Sequence, residues 1–267
     1  VKVYNIMISN CDINSSLSTE QIVQDHTFIC LVAGSMLVYD GSQQYKLVPG
    51  DYGVARRNHL ARYTKQAYDG DFRKIYISFE QRFLKEFNET YKYSLKERPE
   101  LSDSIIKLDG NKFIDNFIQS LMPYFDEKGI IDGVFLDIKR RELLVVLLET
   151  NPLLADILFD FNDPGKINLE DFMNRNFKFN VTLDRFAFLT GRSLSTFKRD
   201  FKKKFNMSPG HWLIRRRLEE AYFLIMEKNK KPSDIYLDHG FEDFSHFSFA
   251  FKKKYGASPG KIKDHTL

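Results

Sequence analysis

The sequence has few of the features that mark secreted, membrane-spanning or metal-dependent proteins. Only two cysteines occur among 267 residues, Cys11 and Cys30, and their spacing fits no close-spaced metal or redox motif. The longest aliphatic run, Leu143–Leu148, is far too short to span a bilayer. The N-terminus carries no charged-then-apolar signal pattern. These absences predict a protein of the reducing cytoplasm with no membrane partner.

Positive charge is scarce in the first part of the chain and concentrated in the last. Residues 1–166 carry a net charge of −4, whereas residues 167–267 carry +8. The length predicts two domains, and an apolar fraction of 43% is enough for packed cores. The asymmetry of charge favours an anionic partner for the C-terminal domain alone.

A basic segment near the C-terminus occurs twice, fifty residues apart. Residues 195–210 read STFKRDFKKKFNMSPG and residues 245–260 read SHFSFAFKKKYGASPG, with nine identical positions. Each copy joins two phenylalanines at i,i+4 spacing to three lysines, which predicts a helix with one buried and one cationic face. The repetition indicates a duplicated structural unit that binds a long polyanion at two places.

The first domain is predicted to begin with strands and to end with helices. Short β-rich runs separated by Gly and Asp-Gly turns span residues 22–80 and indicate a small antiparallel barrel or sandwich. These runs are Phe28–Val32, Ser35–Tyr39, Tyr45–Val48 and Lys74–Ser78. Helical patterns follow, including one with Phe113, Phe117 and Leu121 on a shared face. A longer helix is predicted over Val134–Glu149. It could be a dimer seam or a helix packed inside the domain, and dimerisation is favoured because exposed leucines need a partner.

The second domain is predicted to contain two helix-turn-helix motifs. Thr182 and Ser193 are placed to cap helices on either side of Gly191, and Ser208-Pro209 starts a long helix that runs to about Lys228. Pro232 begins a second unit that turns at Gly240. A joining helix of about 20 residues is roughly 30 Å long, close to the ~34 Å between successive major grooves on one face of B-DNA.

The chain from about Leu169 to Lys263, with these motifs, resembles the AraC/XylS family of bacterial transcription regulators. The match to the family's second motif is Ile235, Gly240, Phe241, Asp243, Ser245, Phe247, Phe251, Lys252, Gly256 and Pro259. The first motif matches at Ala187, Gly191, Ser193, Phe197, Phe201 and Lys202, and the joining helix matches at Arg217-Leu218-Glu219-Glu220-Ala221. Two positions depart from the pattern: Tyr236 replaces a small residue, and Phe249 replaces an arginine common near the DNA.

The N-terminal part is similar, more weakly, to the cupin-like sensor domain of such regulators. The resemblance rests on His26, Gly34, the segment Leu47–Asp51 and His59. Metal-binding cupins need more histidines and a carboxylate, so we expect no metal. The resemblance implies an α+β protein: a cupin-like antiparallel β-barrel with following helices at 1–159, a linker at 160–166, and an all-α DNA-binding domain at 167–267 with two helix-turn-helix motifs joined by a long helix.

The candidate DNA contacts lie on the second helix of each motif. They are Ser195, Thr196, Lys198, Arg199, Lys202 and Lys203 in the first copy, and Phe244, Ser245, His246, Phe249, Lys252 and Lys253 in the second. Lys198 and Arg199 could read guanine or contact phosphate only. Phe249 could contact thymine methyls or sugars, or pack internally. The lysine triplets could bind phosphate or only stabilise helix ends.

The function predicted from these features is a sequence-specific regulator of transcription, more often an activator in this family. We expect double-stranded DNA as a partner, a homodimer through the N-terminal domain, a small-molecule or protein effector and, by family resemblance, RNA polymerase. An alternative is an N-terminal domain that binds a regulatory protein, or a metal-free cupin-like module without a small ligand. The sequence offers no convincing metal centre or nucleophile–base set, so we expect no enzyme and no cofactor.

Overall fold

The computed structural model describes residues 6–10, 21–68, 71–93, 103–131 and 133–265. The chain divides into two compact units, Val1–Asn162 and Asp163–Leu267, and residues 160–168 contain neither helix nor strand. Cys11 and the predicted turn at Asp69-Gly70 lie outside the described residues.

The first unit contains two antiparallel sheets. Their strands are β1 (Ile6–Asn10), β2 (Gln21–Val23), β3 (His26–Ala33), β4 (Ser35–Tyr39), β5 (Gln44–Leu47), β6 (Tyr52–Ala55), β7 (His59–Gln66), β8 (Arg73–Phe79) and β9 (Ile105–Lys107). One sheet has the order β1-β8-β3-β6-β9 and the other β2-β7-β4-β5. The predicted β-rich runs correspond to β3, β4, β5 and β8. The sequence pattern did not single out the other five strands. Strand β6 (YGVA) has only four residues, one of them glycine, and β7 (HLARYTKQ) mixes polar with apolar side chains.

Strand β3 is buried on both faces and therefore separates two cores. Successive side chains of a strand point to opposite faces. Phe28 and Cys30 accordingly join the core beneath the helices, while Ile29 and Leu31 join the core between the two sheets. This double burial explains why β3 reads as a nearly continuous apolar run instead of alternating with polar residues.

The helices of the first unit pack on the outer face of the five-stranded sheet. They are α1 (Gln81–Tyr91), α2 (Lys112–Leu121), α3 (Gly133–Thr150) and α4 (Leu154–Leu158). On α2 the buried residues are Ile114, Phe117 and Leu121, whereas Phe113 is 68% exposed. The prediction that Phe113 shares the buried face was therefore wrong, because Ile114 takes that position.

The leucines of α3 are buried inside the unit and do not form an exposed seam. Leu143, Leu144, Leu147 and Leu148 are all in the core that lies beneath the helices. The reason given for a dimer seam, exposed leucines, therefore does not hold. The exposed apolar residues of α3 lie in its first turns instead, at Val134, Phe135 and Ile138.

The second unit is helical in its described part, and most of its caps are those expected from the sequence. Its helices are α5 (Leu169–Asn176), α6 (Leu183–Leu189), α7 (Leu194–Phe205), α8 (Pro209–Met226), α9 (Pro232–Ile235) and α10 (Phe244–Tyr255). The Ser193 hydroxyl accepts a hydrogen bond from the Thr196 N–H and caps α7. Thr182 and Ser208 occupy N-cap positions, but neither side chain makes a capping hydrogen bond.

The first helix of the second motif, α9, has only four residues. It ends at Ile235, and a single 3-10 turn over Leu237–His239 follows it. The cause is a competing hydrogen bond: Nδ1 of His239 lies 2.8 Å from the Ile235 carbonyl oxygen, which an α-helix would pair with the backbone N–H of residue 239. That N–H instead donates to the carbonyl of Tyr236, three residues back.

Gly191 meets two constraints at the turn between α6 and α7. Its φ angle is +65°, in the left-handed region that favours glycine. A Cβ atom at this position would lie 2.4 Å from the carbonyl carbon of Gly165 and 2.6 Å from the backbone nitrogen of Lys166. The segment that precedes α5 therefore crosses the turn at a distance that only glycine permits.

We expect Gly191→Ala to lower the free energy of unfolding of the second unit by at least about 1–2 kcal/mol, the cost of a left-handed backbone alone. Gly210→Ala is a matched control. A Cβ there meets no atom within 4 Å, and alanine in a helix stabilises by up to ~1 kcal/mol. Trp212 is the only tryptophan of the chain and belongs to this unit, so its fluorescence during urea unfolding measures both changes. Equal stabilities of the two variants would contradict the close approach.

Candidate nucleic-acid interface

Helices α7 and α10 are built on the same plan. Each has twelve residues, a side-chain N-cap (Ser193 or Asp243) and a left-handed residue at its C-terminus (Asn206 or Gly256). Each carries a ladder of three aromatic rings at i,i+4 spacing, of which the first two are buried and the third is partly buried. The ring centroids are 5.6 and 4.3 Å apart along Phe197, Phe201 and Phe205, and 5.7 and 4.7 Å apart along Phe247, Phe251 and Tyr255. The repeat in the sequence is therefore a repeat of the buried face and of both caps.

The outer face of α7 presents four cations to solvent. Lys198, Arg199, Lys202 and Lys203 are all exposed, together with Ser195. Thr196 is partly buried, and its hydroxyl lies 3.0 Å from that of Ser193 in the cap. Six of the predicted contact positions thus lie on one helix, and five of them are open to a ligand.

Arg199 remains largely free although it stands beside Asp200. Its Nη2 lies 3.6 Å from an Asp200 oxygen, and its side chain is 76% exposed. Asp200 is held more closely by Nε of Arg192 at 3.2 Å, and that hydrogen bond is the main reason why the pKa of Asp200 is lowered. Arg192 also donates to the carbonyls of Ile167 and Thr190. Arg192 therefore has a structural role, and Arg199 is left facing outward.

The third lysine of each triplet forms an ion pair inside the unit. Nζ of Lys204 lies 2.6 Å from Glu170, and this hydrogen bond raises the pKa of Lys204. Nζ of Lys254 lies 2.9 Å from Glu219, which also accepts a hydrogen bond from Arg215. Partial burial alone would raise the pKa of Glu219, but these two hydrogen bonds outweigh it and the pKa is lowered. Each triplet therefore divides into two outward lysines and one that fastens its helix to a neighbour.

The outer face of α10 is aromatic where that of α7 is cationic. Phe249 is 71% exposed, so it does not pack internally, which was one of its predicted alternatives. Phe244 is 41% exposed. Its ring lies nearly perpendicular to that of Tyr236, with the two ring centroids 5.6 Å apart. His246 contacts the ring of Phe241 at 5.7 Å. Ser245, Lys252 and Lys253 complete the exposed set.

The arginines of the joining helix α8 have structural partners. Arg215 pairs with Glu219 at 2.8 Å, and the guanidinium of Arg216 lies 5.0 Å from the centre of the Phe177 ring. Arg217 is buried and donates to three backbone carbonyls. No pattern in the sequence indicates which distant backbone atoms Arg217 reaches.

In the first unit, His26 and His59 flank Arg57 and are held neutral. His26 accepts a 3.3 Å hydrogen bond from the Arg57 N–H, and burial, followed by the charges of Arg57 and Arg56, lowers its pKa to about 3. Nδ1 of His59 lies 2.9 Å from the Arg57 carbonyl, and burial lowers its pKa to about 4. Among the described residues, no three His, Cys, Asp or Glu side chains are grouped closely enough to hold a metal ion.

Arg57 itself reaches the end of the first unit. Its Nη2 donates to the carbonyl oxygens of Asp160 and Asn162 at 2.7 and 2.8 Å. The two histidines therefore belong to a structural cluster around a buried arginine.

No helix in the described ranges is long and apolar enough to cross a bilayer.

Two family descriptions match this chain. Residues 26–157 match the ExsA N-terminal regulatory domain, and residues 186–265 match a helix-turn-helix domain. The HTH-type transcriptional regulator ExsA of Pseudomonas aeruginosa is 23% identical over 259 residues, covering 96% of this chain and 92% of that protein. The HTH-type transcriptional activator RhaS of Escherichia fergusonii is 32% identical over 135 residues, covering 47% and 46%. Among solved structures, an apo ToxT variant from Vibrio cholerae aligns with a TM-score of 0.49 at 11% identity, covering 96% of each chain.

Proposed function

This chain belongs to the AraC/XylS family of transcription regulators, and we propose that it binds a specific sequence in double-stranded DNA by placing α7 and α10 in successive major grooves. The observation that carries the proposal is the matched construction of the two helices at either end of α8. The 18 residues of α8 give a length of about 27 Å, and successive major grooves on one face of B-DNA are ~34 Å apart. The side chains that project from α7 and α10 add to this reach.

The two helices have different roles in this proposal. On α7, Arg199 and Lys198 read base edges, since a guanidinium or ammonium group matches the acceptors of guanine in the major groove. Lys202, Lys203, Lys252 and Lys253 bind phosphate. On α10, Phe249 makes apolar contact with thymine methyl groups or sugars, which suits an exposed ring that no internal partner covers.

The first unit regulates this binding and joins two copies of the chain. We place the protein in the cytoplasm as a transcriptional activator that works with RNA polymerase. The name of one relative, the transcriptional activator RhaS, supports activation. The match of residues 26–157 to a regulatory domain supports a unit that senses an effector, either a small molecule or a protein.

Dimerisation is assigned to the first turns of α3. Val134, Phe135 and Ile138 are each more than half exposed, and the Phe135 ring contacts that of Tyr124 at 4.9 Å. Met122, two residues before Tyr124, is also exposed, and these side chains define the proposed apolar surface. A second copy of the same surface would cover it, in the self-complementary manner of a two-fold dimer.

The salt dependence of binding tests the function. With about six phosphate contacts, the logarithm of the affinity of fragment 160–267 for duplex DNA should fall with a slope of about −5 against the logarithm of salt concentration. Lys202→Ala and Lys252→Ala should each reduce the slope by about 1. Lys204→Ala is the matched control and should leave the slope unchanged, because Glu170 holds this lysine. A flat response of the unsubstituted fragment would contradict DNA binding.

The role of Arg199 is tested by specificity. Arg199→Ala should cost roughly 1–3 kcal/mol on the preferred site, and less on sites changed at one base pair, because the lost contact discriminates between bases. Binding to a panel of single-base-pair variants of the preferred duplex measures this difference. Arg215→Ala removes an equal charge at a position paired with Glu219 and should preserve specificity. A uniform loss across the panel would reduce Arg199 to a phosphate contact.

The dimer surface is tested by introducing charge. Ile138→Glu should shift the full chain from dimer to monomer, since a desolvated carboxylate in an apolar interface is costly. Phe113→Glu, at another exposed apolar position, at the start of α2, should leave the dimer intact. Sedimentation equilibrium across micromolar concentrations measures both. An unsubstituted chain that stays monomeric, or two variants with the same effect, would refute the assignment.

A further inference from the structure

The two helix-turn-helix motifs are packed against different stretches of α8. In the first motif the ring of Phe201 lies edge-on to Trp212, with centroids 5.6 Å apart. The core of the second motif combines residues of α8 and α10, namely Leu218, Ala221, Ile225, Phe247 and Phe251. Arg217 lies on α8 at the junction of these stretches, so its contacts bear on how the two motifs are joined.

Arg217 binds backbone on both sides of this junction. Its Nε donates to the carbonyl oxygen of Phe177 and its Nη2 to that of Phe179, both at 2.7 Å. Its Nη1 donates to the carbonyl oxygen of Gly240 at 2.8 Å. Residues 177 and 179 lead into the first motif, and residue 240 is the turn of the second. One rigid, planar guanidinium therefore holds backbone atoms of both motifs at fixed distances from each other.

The turn at Gly240 is shaped around this side chain. The φ angle of Gly240 is +73°, and a Cβ there would lie 2.7 Å from Cζ of Arg217. Two further pairs join the same segments: Lys178 Nζ with Glu220 at 2.6 Å, and Asn180 Nδ2 with Glu242 at 2.9 Å. These two pairs are partly exposed, so the buried guanidinium is the stiffest of the three connections.

We propose that Arg217 is a positioning residue that sets the distance and angle between α7 and α10, and thereby the base-pair spacing between the two DNA segments that the protein accepts. The inference rests on the proposed function. One added base pair moves the second segment by about 3.4 Å and turns it by roughly 34–36° about the DNA axis. A rigid joint rejects such a site, whereas a loose joint tolerates it at the expense of affinity, because two linked contacts gain most when their geometry is fixed in advance.

The test is selection of duplexes from a random DNA library by the full chain and by its Arg217→Met variant. The unsubstituted chain should enrich two short sequence elements at one spacing. Arg217→Met should enrich the same two elements, since the side chains that face DNA are unchanged, but with spacings spread over one or two additional base pairs. Its affinity for the original site should fall roughly tenfold, with little change for a duplex that carries only the element bound by α7.

Arg215→Met is the matched control, because it removes the same charge from an exposed position of α8 and should keep the single spacing. Circular dichroism checks that Arg217→Met is folded. If it is not, the double variant Lys178→Met with Asn180→Ala takes its place and should broaden the spacing in the same direction. A folded variant that selects only the original spacing overturns the inference. An unsubstituted chain that enriches no sequence would instead remove the proposed function, and this inference with it.

Discussion

The second unit depends on satisfying one buried positive charge. Arg217 is 7% exposed, and removing a guanidinium from water costs several kcal/mol unless its N–H groups find acceptors. Three backbone carbonyls supply them, and all three come from segments outside α8. The guanidinium can therefore be satisfied only when the residues before α6 and the turn before α10 are both in place. Arg217 is thus the buried link between the two motifs, beside the more exposed Lys178–Glu220 and Asn180–Glu242 pairs, while their hydrophobic cores remain largely separate.

The duplication preserved the buried faces and caps of α7 and α10 and let their outer faces diverge. The aromatic ladders, the N-caps and the ion-paired third lysines are equivalent in both copies. Packing constrains these groups, since each ring fills a defined volume in a close-packed core. The outer positions have no such constraint, and Lys198 and Arg199 in one copy correspond to Ser248 and Phe249 in the other. A shared scaffold thus presents one cationic and one aromatic face.

In the first unit, strand β3 and the buried Arg57 each connect separate parts of the structure. Strand β3 contributes alternate residues to two cores, so the sheet is fixed between the helices and the second sheet. Arg57 is buried beside two histidines whose low pKa values keep them neutral, which avoids placing further positive charge next to it. The two histidines on which the resemblance to a cupin-like domain partly rested are part of this arrangement.

The sequence by itself determined the elements that rest on local chemistry. Ser193 and Gly191 mark the cap and turn of the first motif, and the i,i+4 phenylalanines mark the buried faces of α7 and α10, because caps, turns and helical periodicity depend on near neighbours in the chain. Tertiary structure decided what depends on distant partners. Lys203 and Lys204 are neighbours in the same lysine triplet, and nothing in the sequence distinguishes them. In the structure, Glu170 forms its ion pair with Lys204. The leucines of α3 were expected to be exposed, yet they are buried in a core shared with the sheet. The strands of that sheet lie far away in the sequence, so the helical pattern alone did not indicate that they would be covered. The role of Arg217 was set by carbonyls 23 to 40 residues away, which no local pattern can indicate.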